Sequence, residues 1–480
     1  MQETVKTDEA PAGGATSAGS WSRELKALLA IGAPMAATQL IQFSVNTIDV
    51  LMIGKLGAEP LAASSLGLVL FFTTFLIGFG PAMAVAPLVS QTLGANADDV
   101  DDVRKSVRMG LWVIVLLFPA AALIYLSAEH VALFLGQPAE LARLAGPYVL
   151  ALGPSLPFML GVLALRNYLA AIEKTRAPLV IILFTTFLNG FLNYLLIYGN
   201  WGLPRLELVG AGVASSISHA TGFFMIVAYI RLDRKSARFM LFKDVLKPDW
   251  ERLREIVRLG WPIGVTMGFE AMLFNAAVFL MGRIGVDEVA AYQVALNVAA
   301  LAFMTPLGLS MAGSVRVGLA AGARDYARVR RASAITIGMC AASILFVAIP
   351  MMAAPGAIAG LYLKADDPTN AGVVALVMSF LPIAATFALF DATQVAANQC
   401  LRGLKDVRAP MFLTGVSYWV IGFPIAAWLG LGTPVGAVGV WWGLLASLIA
   451  AAALLTGRLY ILVRPAMDMA RPVSPGRNPL

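Results

Sequence analysis

Three carboxylates stand out because of where the chain puts them. Asp49, Glu270 and Asp391 lie in long apolar runs, and the residues from Val373 to Phe390 that lead into Asp391 carry no charge at all. Near the middle of a bilayer an acid costs about 2.5–3.5 kcal/mol on the insertion scale, so such groups mark ion or substrate paths. Two of them, Asp49 and Asp391, keep polar company at helical spacing. Gln39, Gln42, Asn46 and Asp49 are spaced 3, 4, 3, which puts them on one helix face. Asp391, Gln394 and Asn398 are spaced 3 and 4, and Thr185, Asn189 and Asn193 are spaced 4 and 4. Carboxylate oxygens are hard ligands that suit Na⁺, and a desolvated carboxylate also takes up H⁺. The amides alone serve equally well as interhelical glue or as a cavity lining.

The elements that position these groups must be membrane helices. Of 480 residues, 59% are hydrophobic and 13% charged, with a mean hydropathy of +0.79. A soluble domain carries about 25% charged residues. Twelve apolar runs of spanning length lie near 28–53, 61–93, 107–127, 145–170, 178–199, 208–230, 257–281, 288–320, 332–352, 371–401, 409–430 and 436–462. Pro34, Pro154, Pro157, Pro262, Pro306 and Pro382 sit in or near them as expected kink sites. With the N-terminus placed inside, 29 of the 35 Lys and Arg fall on inner segments and five on outer ones, Arg316 being the remainder. That asymmetry predicts a bacterial-type inner membrane protein with both termini cytoplasmic. It also accounts for the +7 net charge without a nucleic-acid partner. No cleavable leader is legible, and the first 20 residues read as a polar, disordered tail.

The chain matches itself at a shift of 228 residues. IGAPMAATQ (31–39) lies over LGWPIGVTM (259–267), and MIGKLGAEPLAA (52–63) over LMGRIGVDEVAA (280–291). Gly94-Ala95 falls on Gly322-Ala323, and shifts a few residues different lay TRAP (175–178) on VRAP (407–410) and VGAG (209–212) on VGAV (435–438). The expected fold class is an all-α integral membrane protein with twelve transmembrane helices in two parallel six-helix repeats, enclosing a central path. The expected division is a tail (1–24), an N-terminal lobe (25–230), a basic connector (231–256), a C-terminal lobe (257–463) and a second tail (464–480). The acids do not repeat: Glu270 falls on Gln42, Asp49 on Ala277 and Asp391 on Met159.

Five stretches carry a family resemblance: P-x(14)-D-x(4)-G-K-L-G (34–57), SQTLGA (90–95), FLNGFLNYLLIYG (187–199), Glu270 in the seventh run, and DATQVAANQCLRGLKDVRAP (391–410). Together the chain resembles a multidrug and toxic compound extrusion (MATE) transporter of the NorM branch. The resemblance implies a MATE-like fold and efflux of lipophilic organic cations, drugs and dyes, in exchange for Na⁺ or H⁺ by alternating access. It implies a cation-coupling pair in Glu270 and Asp391, with Na⁺ held there if the coupling ion is sodium. It also implies an N-lobe polar and substrate site of Asp49, Asn189 and Asn193, which Gln42 and Asn46 extend along the same stripe. Gln394 and Asn398 are a secondary C-lobe polar set. Relatives often carry an acid late in the fourth helix, where this chain has Tyr168, Leu169 and Ala170, and its nearest acid is Glu173 in the loop. That departure favours the C-lobe as the coupling site.

Other residues read more plainly. Arg316 is expected to snorkel toward the cytoplasmic surface. His219 reads as a packed polar group and His130 as a solvated one. Met267, Phe269, Met272, Phe274 and Phe303 suit either an adaptable drug surface or lipid. Cys340 and Cys400 give no disulfide or metal framework. No G-x-x-x-x-G-K-[ST], H-E-x-x-H or G-x-S-x-G occurs, so neither ATP hydrolysis nor enzymatic hydrolysis is expected, and no cofactor beyond the coupling ion. The expected unit is a monomer. The alternative within the same broad superfamily is a lipid-linked saccharide flippase, which would want a cationic cavity.

Overall fold

Inside hydrocarbon a peptide group has no water to bond, so a chain this apolar must satisfy its backbone within each segment, as helix. The computed structural model describes residues 17–363 and 370–469. Most of the two expected tails (1–16 and 470–480), and Lys364 in the outer segment, lie outside the described residues. Among the described residues every regular element is helical.

Eleven helices are long and apolar enough to span a membrane: α1 (Ser17–Gly54), α2 (Ala58–Ala95), α3 (Val100–Leu126), α7 (Arg176–Tyr198), α8 (Glu207–Leu232), α10 (Trp250–Ile284), α11 (Val286–Gly322), α12 (Tyr326–Ala353), α14 (Ala371–Gly403), the segment Arg408–Leu431, and α17 (Ala437–Met469). The twelfth crossing is a broken one. Its halves α5 (Ala139–Leu152) and α6 (Ser155–Ala171) bend by 46° at Gly153-Pro154, where the proline has no amide hydrogen to continue the ladder. Short helices α4 (Ala128–Phe134), α9 (Arg234–Ala237) and α13 (Pro355–Tyr362) fill connections. The eleventh crossing is α15 (Arg408–Gly415), a π-helical turn (Val416–Gly422) and α16 (Phe423–Leu431). The helix already runs at Ser17, so residues 17–24 are ordered helix rather than the expected tail, and the expected connector overlaps the first turns of α10.

The duplication is visible in the bonding. Thr38 donates its hydroxyl to the Pro34 carbonyl and Thr266 to the Pro262 carbonyl, each at 2.8 Å. Asp99 caps the third span of the first lobe and Asp325 that of the second, accepting from the backbone amides of Asp102 (3.0 Å) and Arg328 (2.9 Å).

The two lobes are clasped at the end of the bundle that carries the basic loops. The clasp depends on missing side chains. A Cβ on Gly80 would strike the Gly260 carbonyl, and one on Gly308, its equivalent, would strike the Ala36 backbone. Gly94 lies against the Leu319 carbonyl and its equivalent Gly322 against the Gln91 carbonyl. Gln91 then donates to the Gly403 carbonyl at 2.8 Å, tying α2 to the end of α14. Accordingly, α2 is buried without interruption from Gly80 to Ser90 and α11 from Gly308 to Gly318.

Candidate functional site

In the first lobe the stripe on α1 faces α7. Asn193, fully buried, donates from Nδ2 to Asp49 Oδ1 at 2.6 Å and to Asn189 Oδ1 at 3.2 Å. Asn189 in turn donates to Ser215 Oγ at 3.4 Å. The Asn193 carbonyl oxygen is buried without a partner among the described residues. Gln42 accepts from Arg166 Nη1 at 3.0 Å. Asn46 lies between them on the same face and is exposed. Thr185 does not join this network, because its hydroxyl folds back onto the Ile182 carbonyl of its own helix.

In the second lobe α14 carries a buried polar stripe: Asp391 at 5% exposure, Gln394 at 2% and Asn398 at 5%. Gln394 donates from Nε2 to Asp391 Oδ1 at 3.1 Å. Glu270, half-buried on α10, stands within electrostatic reach of Asp391 and of Arg402 at the end of α14. Tyr418, 1% exposed on the π-helical turn, interacts with both acids, and its hydroxyl has no hydrogen-bond partner among the described residues. The Gln394 carbonyl oxygen is likewise unpartnered. Packing holds this helix in place: Phe387, one turn before Asp391, lies 6.0 Å from the Phe274 ring and 5.7 Å from the Trp441 ring. Among the described residues no group of three or more His, Cys, Asp or Glu could hold a metal. Two carboxylates with neutral amide and phenol oxygens suit a hard monovalent cation or a proton instead.

Sequence reasoning missed Tyr418, Arg402 and Arg166. A π-turn, often found at functional sites, is what aims Tyr418, and the sequence carries no sign of it. Both arginines fall on inner basic segments, where the sequence reads them as topology signals.

Arg316 is not an anchor at the surface. Its side chain is 7% exposed and forms a two-pronged pair with Glu24, Nε to Oε1 at 2.7 Å and Nη2 to Oε2 at 2.8 Å. Its Nη1 reaches Glu173 Oε1 at 2.7 Å, and Arg328 reaches Glu24 at 3.3 Å. Glu24 and Glu173 belong to the first lobe and both arginines to the second. A charge-reversed counterpart lies across the same face: Arg252, at the start of α10, pairs with Asp102 of the first lobe and with Glu255 at 2.7 Å, and Lys405 reaches Glu255 at 3.3 Å. His219 is half-buried, its Nδ1 donating to the Ser215 carbonyl at 2.8 Å, and His130 is exposed.

The profile of the MatE family matches residues 34–195 and 262–428. The chain belongs to the MatE family. All nine acid and amide positions expected from the sequence fall inside those two stretches. The chain is 42% identical to the "Probable multidrug resistance protein NorM" of Rhizobium meliloti (strain 1021), covering 94% of this chain and 96% of the relative. It is 38% identical to the protein of the same name from Agrobacterium fabrum, covering 98% and 100%. Among solved structures, a MATE in complex with MaL6 superposes with a TM-score of 0.85 at 19% identity, covering 93% of this chain and 97% of that one. The eukaryotic MATE transporter AtDTX14 superposes at 0.79 with 22% identity, covering 94% and 99%. The twelve-helix, two-lobed architecture is thus the MATE fold.

Proposed function

We propose that this chain is a secondary active multidrug efflux antiporter, exporting lipophilic organic cations in exchange for Na⁺ or H⁺ by alternating access. It works as a monomer in a bacterial-type inner membrane with both termini cytoplasmic. The observation that carries this reading is that half-buried Glu270 stands within electrostatic reach of buried Asp391. Two carboxylates in one apolar site repel each other unless a cation joins them, and the unengaged Gln394 and Tyr418 oxygens complete an oxygen-only shell. The names of the relatives, which are multidrug resistance proteins, support the substrate side of the proposal.

A coupling ion moves an equilibrium only if it binds one state better than the other. In the clasped arrangement the glycine-mediated packing of α2, α10 and α11 holds the lobes together at the basic face. On this reading an ion enters from the opposite face, binds the acids, and favours a rearrangement that releases it on the basic side. Each positive charge moving down the membrane potential supplies about 2.3 kcal/mol per 100 mV. The test is uphill dye efflux from vesicles under an imposed Na⁺ or H⁺ gradient, with cationic and anionic dyes compared. Export confined to anionic compounds, or export indifferent to both gradients, overturns the proposal.

A further inference from the structure

The fourth crossing of each lobe sends an arginine toward the same position of the first crossing. In the second lobe, Arg402 of α14 faces Glu270. In the first lobe, Arg166 of α6 reaches residue 42, which is the repeat equivalent of residue 270. In the alignment that superposes TRAP on VRAP, Arg402 falls on Ala170, one helical turn from Arg166, so both arginines leave the same face. The difference lies in what they meet. Arg402 has a carboxylate, Glu270, within electrostatic reach, though not within ion-pair distance. Arg166 meets the neutral amide of Gln42, its one hydrogen-bond partner among the described residues, and no carboxylate there stands within electrostatic reach of it.

Arg166 is 6% exposed and its Nε is buried without a partner among the described residues. One turn from Gln42, the buried Gln39 carbonyl oxygen is also unpartnered. A guanidinium presents five donors in a fixed fork that fits a carboxylate or phosphate. Burying such a group without a counter-charge costs several kcal/mol, which a well-placed anion recovers. The polar stripe that leads to it contains exposed Asn46 and half-buried Gln42 and Asp49. Asp49 stands seven residues further along α1, a rise of about 10 Å. The first lobe therefore offers one acid and one base along one path, whereas the second offers two acids and one base.

We propose that Arg166 is a specificity-determining residue that forms an anion subsite at the inner end of the first-lobe polar stripe. It takes the carboxylate of a zwitterionic substrate whose cationic end lies toward Asp49. The ligand supplies the negative charge that Glu270 supplies to Arg402 in the other lobe. This rests on the efflux reading above and adds to it the charge pattern that one lobe selects.

Rhodamine 110 and rhodamine 123 test it, because they differ only in a carboxylate against its methyl ester. Binding of each to the purified full chain is read by fluorescence polarisation. Arg166→Gln should weaken rhodamine 110 by about tenfold or more, the scale of a lost charge-assisted hydrogen-bonded pair. It should tighten rhodamine 123, which no longer meets a fixed positive charge. Arg166→Lys should keep most of the rhodamine 110 affinity. Gln42→Glu, which gives Arg166 the internal partner that Arg402 has, should weaken rhodamine 110 and tighten rhodamine 123 while the arginine remains in place. The proposal is overturned if wild type does not bind rhodamine 110, or if Arg166→Gln changes both dyes by the same factor. It is also overturned if Gln42→Glu leaves their ratio at the wild-type value. Gradient-driven efflux of rhodamine 123 by wild-type vesicles is measured beside it. Its absence refutes the efflux reading; its presence with an unchanged dye ratio refutes the subsite alone.

Discussion

Glu24→Gln should release the face where the lobes are clasped. Glu24 and Arg316 each have side chains 7% exposed, joined by two hydrogen bonds, and they come from different lobes. Removing one member of a buried pair costs about 3–5 kcal/mol, because the other charge stays buried. Here Arg316 keeps Glu173, whose side chain is 51% exposed. A half-exposed partner offsets only about 0–1 kcal/mol, so the net cost is near the lower end, about 3 kcal/mol. That cost falls on the clasped state alone, since Arg316 regains water once the lobes part. At about 1.4 kcal/mol per tenfold, the ratio of parted to clasped molecules should rise by about 100-fold. The measure is a distance distribution between spin labels on Asn96→Cys and Ala323→Cys, exposed positions on that face in opposite lobes. The two native cysteines, Cys340 and Cys400, are fully buried and should stay unlabelled. Glu173→Gln is the contrast: it removes only the half-exposed partner and should shift the ratio by less than about fivefold. If Glu24→Gln leaves the distribution of the folded protein unchanged, or if the two variants behave alike, the pair is not a determinant of closure.

Asp391→Asn and Glu270→Gln keep shape and hydrogen bonding but remove charge; both should abolish gradient-driven dye efflux at normal membrane levels, whereas Asp49→Asn should weaken it in a drug-dependent way. An impermeant thiol reagent on intact cells should label Val286→Cys and leave Lys235→Cys untouched; labelling of Lys235→Cys alone would invert the assigned orientation. Ser236, next to Lys235, is fully buried and unsuited to such a tag. Gly94→Ala sets a methyl against the Leu319 backbone carbonyl, where nothing can yield without moving a helix, so a cost of about 1–3 kcal/mol should appear as a lower melting temperature.

What the sequence made legible was whatever composition and period encode. The crossings were readable because about 20 apolar residues have few other uses. The α1 stripe was readable because Asp49 and the amides beside it keep helical spacing, and α7 places Asn193 against Asp49 and Asn189. What escaped were the partners of arginines. Arg166, Arg316 and Arg402 all lie near the basic ends of their helices; the positive-inside count absorbs Arg166 and Arg402 as topology signals, and Arg316 reads as a snorkelling side chain. A guanidinium on a long, flexible stem can point to the surface or inward, and no local pattern tells which. Glu24 was hidden in the same way, since it lies in what read as a tail and finds Arg316 only when the lobes close. The bend at Pro154 was expected, but the π-turn that aims Tyr418 leaves no periodic trace.

The structure also changes how the duplication is understood. The repeat preserves backbone devices almost literally: Thr38 and Thr266 fold onto prolines, Asp99 and Asp325 cap, and Gly80 and Gly308 admit a neighbouring helix. Charges are treated differently. At the basic face, Glu24 opposite Arg328 on one side is answered by Arg252 opposite Asp102 on the other. Glu24 and Arg252 are equivalent residues of the repeat, and Asp102 and Arg328 each stand three residues after an aspartate cap. Opposite signs on equivalent positions conserve attraction across the lobes while preventing either lobe from pairing with a copy of itself, because Glu24 would then face Asp102. In the interior the same divergence produces Gln42 where the other lobe has Glu270, and Ala277 where it has Asp49. A two-lobed carrier must close symmetrically but must not bind its ion and its substrate in equivalent places. Keeping the backbone contacts and exchanging the charges achieves both, and on the proposed reading the coupling chemistry belongs to the lobe that carries two acids.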